Sequence, residues 1–128
     1  MKMCITSSGT DLSAPVDPRF GRCAYLLIVD SETLQTEAIP NQAAGASGGA
    51  GIQAAQTIAD RGVQVLLTGN IGPNAFRALS ASGIEIITGA SGSGKNAIEQ
   101  YKNGELSKTT SPTVGEHAGM GGRGGRGR

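Results

Sequence analysis

The regular alternation of short apolar runs with helix-forming segments in the second half of the chain restricts the fold most strongly. Two runs, 63–68 and 84–88, are too apolar for half-exposed strands and are typical of strands that are covered on both faces. Helices are predicted over three segments, each followed by a glycine suited to a left-handed cap: 49–61, 73–82 and 95–103. Strands that alternate with helices in this way form parallel βαβ units.

The first half of the chain predicts strands rather than helices. Residues 2–6 form a first strand, and the apolar run 25–29 forms a second. A turn at 30–33 returns the chain as a third strand over 34–39, which gives a hairpin. The predicted fold class is therefore α/β: a three-layer α/β/α sandwich around a five-stranded mixed sheet, in which strand 2 is antiparallel.

The helical periodicity also predicts which side chains face the core. In the order of the three helices, these are Ile52, Ala55, Ile58 and Ala59, then Phe76 and Leu79, then Ile98 and Tyr101. Periodicity ends near residue 110. We predict a folded domain over 1–110 and a disordered Gly/Arg-rich tail over 111–128, which contains the single histidine, His117.

Composition and charge exclude several classes of function. Residues 1–118 carry eight Lys/Arg against ten Asp/Glu, and the last ten residues add three arginines, so the folded part is no general polyanion binder and nucleic acid is not an expected partner. No apolar run approaches the ~18 residues of a membrane span, and no signal peptide is recognisable, so a cytoplasmic protein without membrane association is predicted. Two cysteines make no disulfide framework.

The predicted topology gathers four loops at one edge of the sheet: 7–24, 41–48, 69–72 and 89–94. Ligands of open α/β sheets bind beyond the carboxyl ends of the strands. Three helices begin at this edge, and their unpaired N–H groups favour an anion. We therefore expect a compact anion at this edge.

The segment Asp17-Pro18-Arg19-Phe20-Gly21-Arg22-Cys23 supplies charge to the same edge. Two arginines on one loop favour an anionic ligand because each guanidinium is always charged. Alternatively, they are surface charges that pair with Asp17 or Asp11. Cys23 is either a reactive or ligating thiol or, as expected for Cys4, a small core residue.

Three motif-like segments suggest other functions. Residues 89–96 nearly match a phosphate-binding loop, but Asn96 replaces the hydroxyl residue that holds magnesium. Residues 49–54 fit a relaxed dinucleotide pattern without its tight turn, and could equally serve only a sharp helix entry. Residues 121–128 resemble an RNA-binding RGG segment without aromatic residues. No nucleophilic triad and no His/Cys cluster for zinc is recognisable.

Three segments together resemble the dinitrogenase iron–molybdenum cofactor biosynthesis family, the NifX-like proteins. They are residues 17–23, the segment Gly49-Ala50-Gly51-Ile52-Gln53-Ala54-Ala55, and the segment Leu67-Thr68-Gly69-Asn70-Ile71-Gly72-Pro73-Asn74-Ala75-Phe76. The resemblance covers about residues 1–105. It implies a ribonuclease-H-like fold and the non-enzymatic binding, carriage or assembly of an anionic metal–sulfur cluster.

Within that family the chain is most similar to members that carry a molybdenum–copper sulfide cluster, and a related Mo/Fe–S cluster is the wider expectation. The resemblance places cluster contacts at Arg19, Phe20, Gly21, Arg22, Cys23, Asn41, Gly48, Gly49, Gly51, Asn70 and Gly72, with Cys23 as a candidate metal ligand. It also implies association with MinD-type P-loop ATPases. The alternative function is an adaptor that recruits such an ATPase and holds no cluster.

Overall fold

The computed structural model describes residues 1–42 and 49–114. Its elements, in chain order, are β1 (Lys2–Ser7), β2 (Tyr25–Asp30), β3 (Thr36–Pro40), α1 (Ala50–Asp60), β4 (Val65–Leu67), α2 (Pro73–Ala81), β5 (Glu85–Ile87) and α3 (Gly94–Lys102). All eight predicted elements are present. The third strand begins two residues later than predicted, because Leu34 adopts a left-handed turn conformation with φ of 62°.

The five strands form one mixed sheet in the order β3-β2-β1-β4-β5. β1 pairs in parallel with β4, and β4 with β5, whereas β2 is antiparallel to both of its neighbours. The predicted α/β class with an antiparallel second strand is confirmed. The ribonuclease-H-like assignment stays a prediction.

Helices cover both faces of the sheet, which explains the nearly continuous apolar runs. On one face, Leu66 packs with Ile58 of α1 and Leu79 of α2. On the other face, Leu67 packs with Ile98 of α3. Successive side chains of a strand point to opposite faces, so each central strand contributes to both halves of the core.

One predicted core residue is wrong. Ile52 is 45 % exposed, because the buried stripe of α1 runs through Ala50, Ala54, Ala55 and Ile58 and leaves Ile52 on the solvent side. Of the other predicted core residues, four are fully buried, and the following are partly buried: Ala59, Phe76 and Tyr101.

Backbone hydrogen bonds to the rest of the fold continue beyond residue 110, the predicted end of the folded domain. After α3, the chain pairs with the free edge of β5, where the Thr109 N–H donates to the Ile86 carbonyl (2.7 Å). The N–H groups of Thr113 and Val114 then both donate to the Ile71 carbonyl, at 2.9 and 3.2 Å. These backbone bonds fix residues 111–114, which have no apolar periodicity to reveal them. The rest of the predicted tail, with His117, lies outside the described residues.

Within residues 1–42 and 49–114, no helix combines the length and the apolar character that a membrane span requires.

Candidate functional site

A cavity of about 440 Å³ opens at the carboxyl edge of the sheet. It is lined by three loop segments and one residue from the C-terminal segment: residues 19–22, 49–51, 70 and 72–75, and 114. A second hollow, of about 480 Å³, lies at the opposite edge of the sheet beside Lys2 and Asp30, where no helix begins. The carboxyl-edge cavity is therefore the candidate site.

Eight of the eleven predicted contact residues line this cavity: Arg19, Phe20, Gly21, Arg22, Gly49, Gly51, Asn70 and Gly72. Cys23 and Asn41 do not, and Gly48 lies outside the described residues. Sequence reasoning missed Ala50, Pro73, Asn74, Ala75 and Val114. The first four belong to the quoted motifs and could have been found, whereas nothing in the sequence marks Val114.

Two helices begin at the cavity without a side-chain cap. The N-cap residues of α1 and α2 are Gly49 and Gly72, and neither helix has an acidic residue in its first turn. By contrast, Ser93 caps α3 by accepting from the Asn96 N–H. The first N–H groups of a helix lack partners within it, so α1 and α2 present donors and positive dipole ends at the cavity.

Glycines allow the cavity walls to pack tightly against each other. A Cβ on Gly21, whose φ is +96°, would lie 2.9 Å from the Gly51 Cα, and a Cβ on Gly51 would lie 2.9 Å from the Ala75 Cβ. The missing side chains of Gly21 and Gly51 therefore allow protein segments to approach each other closely. These contacts join the 19–22 loop to α1, and α1 to α2.

The segment 17–23, which carries both arginines and is called the arginine loop below, is also held against the loop between β4 and α2. The Asn70 N–H donates to the Pro18 carbonyl at 2.8 Å, and the Phe20 N–H points to the Asn70 carbonyl at 3.5 Å. A Cβ on Gly69 would lie 2.7 Å from both the Cα and the Cβ of Pro18. This contact sets the position of Arg19 relative to α2.

Asp17 holds Arg19 in place. The buried Asp17 carboxylate accepts from the Arg19 backbone N–H (3.0 Å), from Nε (3.2 Å) and from Nη2 (3.2 Å). These bonds raise the pKa of Arg19 further above its ordinary value. Pairing of Arg19 with Asp17, one of the alternatives from the sequence, is thus present, while the Arg19 side chain stays 66 % exposed at the cavity. Arg22 is exposed there as well.

Cys23 lies in the core rather than in the cavity. Its side chain is fully buried, and burial, followed by the nearby charge of Asp17, raises the pKa of its thiol to about 11. Burial likewise raises the pKa of Cys4 well above its usual range. Metal ligation by Cys23 stays a prediction that the buried, protonated thiol does not favour.

Asn41 positions the arginine loop from behind. Its Nδ2 donates to the carbonyls of Gly21 (3.0 Å) and Cys23 (2.9 Å), and its backbone N–H donates to the Ala24 carbonyl at 3.0 Å. Asn41 therefore stabilises the loop that carries the cavity residues.

The loop that resembles a phosphate-binding loop does not line the cavity. The N–H groups of Gly94 and Lys95 donate to the carbonyls of Ala14 and Leu12, and the Asn96 N–H is bonded to Ser93. Since the first N–H groups of α3 are already engaged, the structure does not favour nucleotide binding there. The 89–94 loop leaves the sheet at the predicted edge, yet none of its residues lines the cavity.

Among residues 1–42 and 49–114, no group of three or more His, Cys, Asp or Glu side chains is arranged to hold a metal ion. The described residues that line the cavity also include no carboxylate. The site thus offers N–H donors, two guanidinium groups and an apolar wall that includes Phe20 and Val114. Such a site can hold an anion that brings its own ligands to any metal.

A family model for the dinitrogenase iron–molybdenum cofactor matches residues 1–104. Among solved structures, the apo form of the orange protein from Desulfovibrio gigas is 39 % identical with a TM-score of 0.84, and the match covers 88 % of this chain and 95 % of that one. The NMR structure of a NifB-like protein of the DUF35 family from Thermotoga is 33 % identical with a TM-score of 0.75, covering 88 % and 97 %. An uncharacterised protein of Methanocaldococcus jannaschii is 31 % identical over 105 aligned positions, and the match covers 76 % of this chain and 89 % of that one.

Proposed function

The chain belongs to the dinitrogenase iron–molybdenum cofactor family, and from this premise we propose that it binds and carries an anionic molybdenum–sulfur cluster in the carboxyl-edge cavity. The bound species is a molybdenum–copper sulfide or a related Mo/Fe–S cluster. The protein acts as a carrier or assembly site and not as an enzyme.

One observation carries this proposal: two uncapped helix N-termini and two arginines line one cavity whose described lining contains no carboxylate. Its volume of about 440 Å³ lies within the range of small-molecule sites. Helix N-termini bind anions without any net positive charge on the domain. This agrees with a folded part that is slightly acidic overall.

In the proposed complex, N–H groups at the starts of α1 and α2 donate to cluster sulfides, and the guanidinium groups of Arg19 and Arg22 neutralise its charge. Phe20 supplies an apolar wall. The cluster metals keep their sulfide ligands, so no protein ligand is required. Ligation by Cys23 would first require exposure and deprotonation of that thiol.

The alternative function, an adaptor for a MinD-type ATPase, is not supported by the relatives and solved structures that match this chain. Cluster binding is therefore the single function that we propose.

Anaerobic titration with tetrathiomolybdate and copper tests the proposal. We expect a saturable visible chromophore that stays with the protein through gel filtration. A protein that retains no chromophore would rule out the carrier function.

The double variant Arg19→Ala plus Arg22→Ala tests the role of the cavity charges. At about 0.15 M salt, where exposed charges are screened beyond ~8 Å, we expect it to bind at least about tenfold more weakly than the wild type. The matched control, Lys102→Ala plus Lys108→Ala, also removes two positive charges but lies away from the cavity. Equal binding by the two double variants would show that the arginines do not act locally.

A further inference from the structure

Asp17 pairs with Arg19, one of the two arginines of the site, although it does not line the cavity. Its side chain is 8 % exposed, whereas that of its partner Arg19 is 66 % exposed. The pair thus has a buried negative end and a positive end that faces the ligand space. Nη1 of Arg19 makes none of the three contacts with Asp17.

We propose that Asp17 is a resident counter-charge that weakens the binding of the cluster and so permits its release. This inference rests on the proposed function. The formal charges of Asp17, Arg19 and Arg22 sum to +1, whereas those of the two arginines alone sum to +2. A change in affinity at one site acts mainly through the dissociation rate. A counter-charge that weakens binding therefore speeds release of the cluster, which a carrier requires.

The position of Asp17 is fixed by the fold rather than by Arg19 alone. Its backbone N–H donates to the Thr6 carbonyl (2.9 Å), and its carbonyl accepts from Thr6 Oγ1 (2.6 Å). Thr6 Oγ1 in turn lies 2.9 Å from Oγ1 of Thr68, the residue that directly follows β4. These bonds fix the backbone of Asp17, so its buried carboxylate stays beside the site and its charge acts on the bound ligand.

The variant Asp17→Asn removes the charge and keeps one of the two acceptor oxygens. Its Oδ1 still accepts from the Arg19 backbone N–H and Nε, whereas its Nδ2 is a donor and cannot replace the bond from Nη2 to Oδ2. We expect Asp17→Asn to bind the tetrathiomolybdate dianion about tenfold more tightly and to release it correspondingly more slowly. Asp11→Asn, which removes one exposed charge from the 7–24 loop at a position that does not line the cavity, should change the affinity by less than about twofold.

A second anion, with half the charge of the first, tests whether the effect of Asp17 is electrostatic. Electrostatic energy is proportional to the charge of the ligand. The isosteric monoanion tetrathioperrhenate should therefore gain only about threefold from Asp17→Asn, the square root of the gain of the dianion. Asp17→Glu, which keeps the charge, should stay within about twofold of the wild type for both anions.

Equal gains for both anions, an equal gain in Asp17→Glu, or no gain in a folded Asp17→Asn would each overturn the inference. If the Asn variant does not fold, Asp17→Ser replaces it as the uncharged form.

The experiment distinguishes failure of this inference from failure of the proposed function. If the wild type binds the anion and the Asp17 variants bind it equally well, only the counter-charge is refuted. Binding by Asp17→Asn alone supports the counter-charge and refutes the carrier function. If neither protein binds, both proposals are wrong.

Discussion

Replacing Gly69 by alanine should separate the arginine loop from the rest of the cavity. The new Cβ would lie 2.7 Å from the Cα and Cβ of Pro18 and 3.1 Å from its carbonyl oxygen. Ordinary contacts at such positions are 3.4–4 Å, so the two loops must move apart by roughly 0.7 Å or more. Because the contacted atoms belong to the backbone and to a proline ring, no side-chain rotation can relieve the contact.

The cost can be estimated from known substitutions. Overpacking typically costs about 1–3 kcal/mol, and replacing glycine by alanine returns about 0.4–1 kcal/mol through the unfolded state. We expect Gly69→Ala to lower the free energy of unfolding by about 1–2 kcal/mol, or the melting temperature by roughly 5–10 °C. Denaturant unfolding followed by circular dichroism measures this change.

Gly72→Ala is the matched control, since Gly72 belongs to the same β4–α2 loop. Its φ is −88°, and among the described residues its Cβ would meet only Val114 Cγ2, at an ordinary 3.8 Å. This variant should be as stable as the wild type within about 0.5 kcal/mol. In Gly69→Ala alone, the amide resonances of Arg19 and Phe20 should shift. Equal stability of the two variants would refute the close contact between Gly69 and Pro18.

Two further predictions concern the C-terminal segment and the buried thiols. Thr113→Val removes the hydroxyl that accepts from the Ile71 N–H (2.8 Å). This variant should lower the free energy of unfolding by about 1 kcal/mol. The control, Thr110→Val at a neighbouring exposed position, should leave it unchanged. Equal effects of the two variants in denaturant unfolding would argue against a fixed Thr113. The pKa of Cys23 is about 11 in the folded state, compared with about 9 for an ordinary cysteine. Between these two pH values the unfolded state loses the thiol proton first, so the free energy of unfolding should fall as pH rises. In Cys23→Ala this fall should become shallower; an unchanged slope between pH 8 and 11 would contradict the burial of Cys23.

The sequence alone determined the fold class and predicted the edge of the sheet at which the candidate cavity lies. Apolar strands that alternate with glycine-terminated helices leave few topologies, and the parallel direction of β1, β4 and β5 follows from the connecting helices. Once the strands are parallel, their carboxyl ends meet at one edge. That rule brought Arg19, Gly49 and Asn70 together in the prediction.

Only the tertiary structure decided which residues at that edge form the cavity. Cys23 and Asn41 belong to the predicted set by position, yet one side chain points into the core and the other supports the loop from behind. Val114 joins the cavity because the chain after α3 bonds to Ile71, and Asp17 holds Arg19 through a buried carboxylate. These relations depend on hydrogen bonds and contacts between distant segments, which follow no local period in the sequence and therefore become defined only when the chain packs.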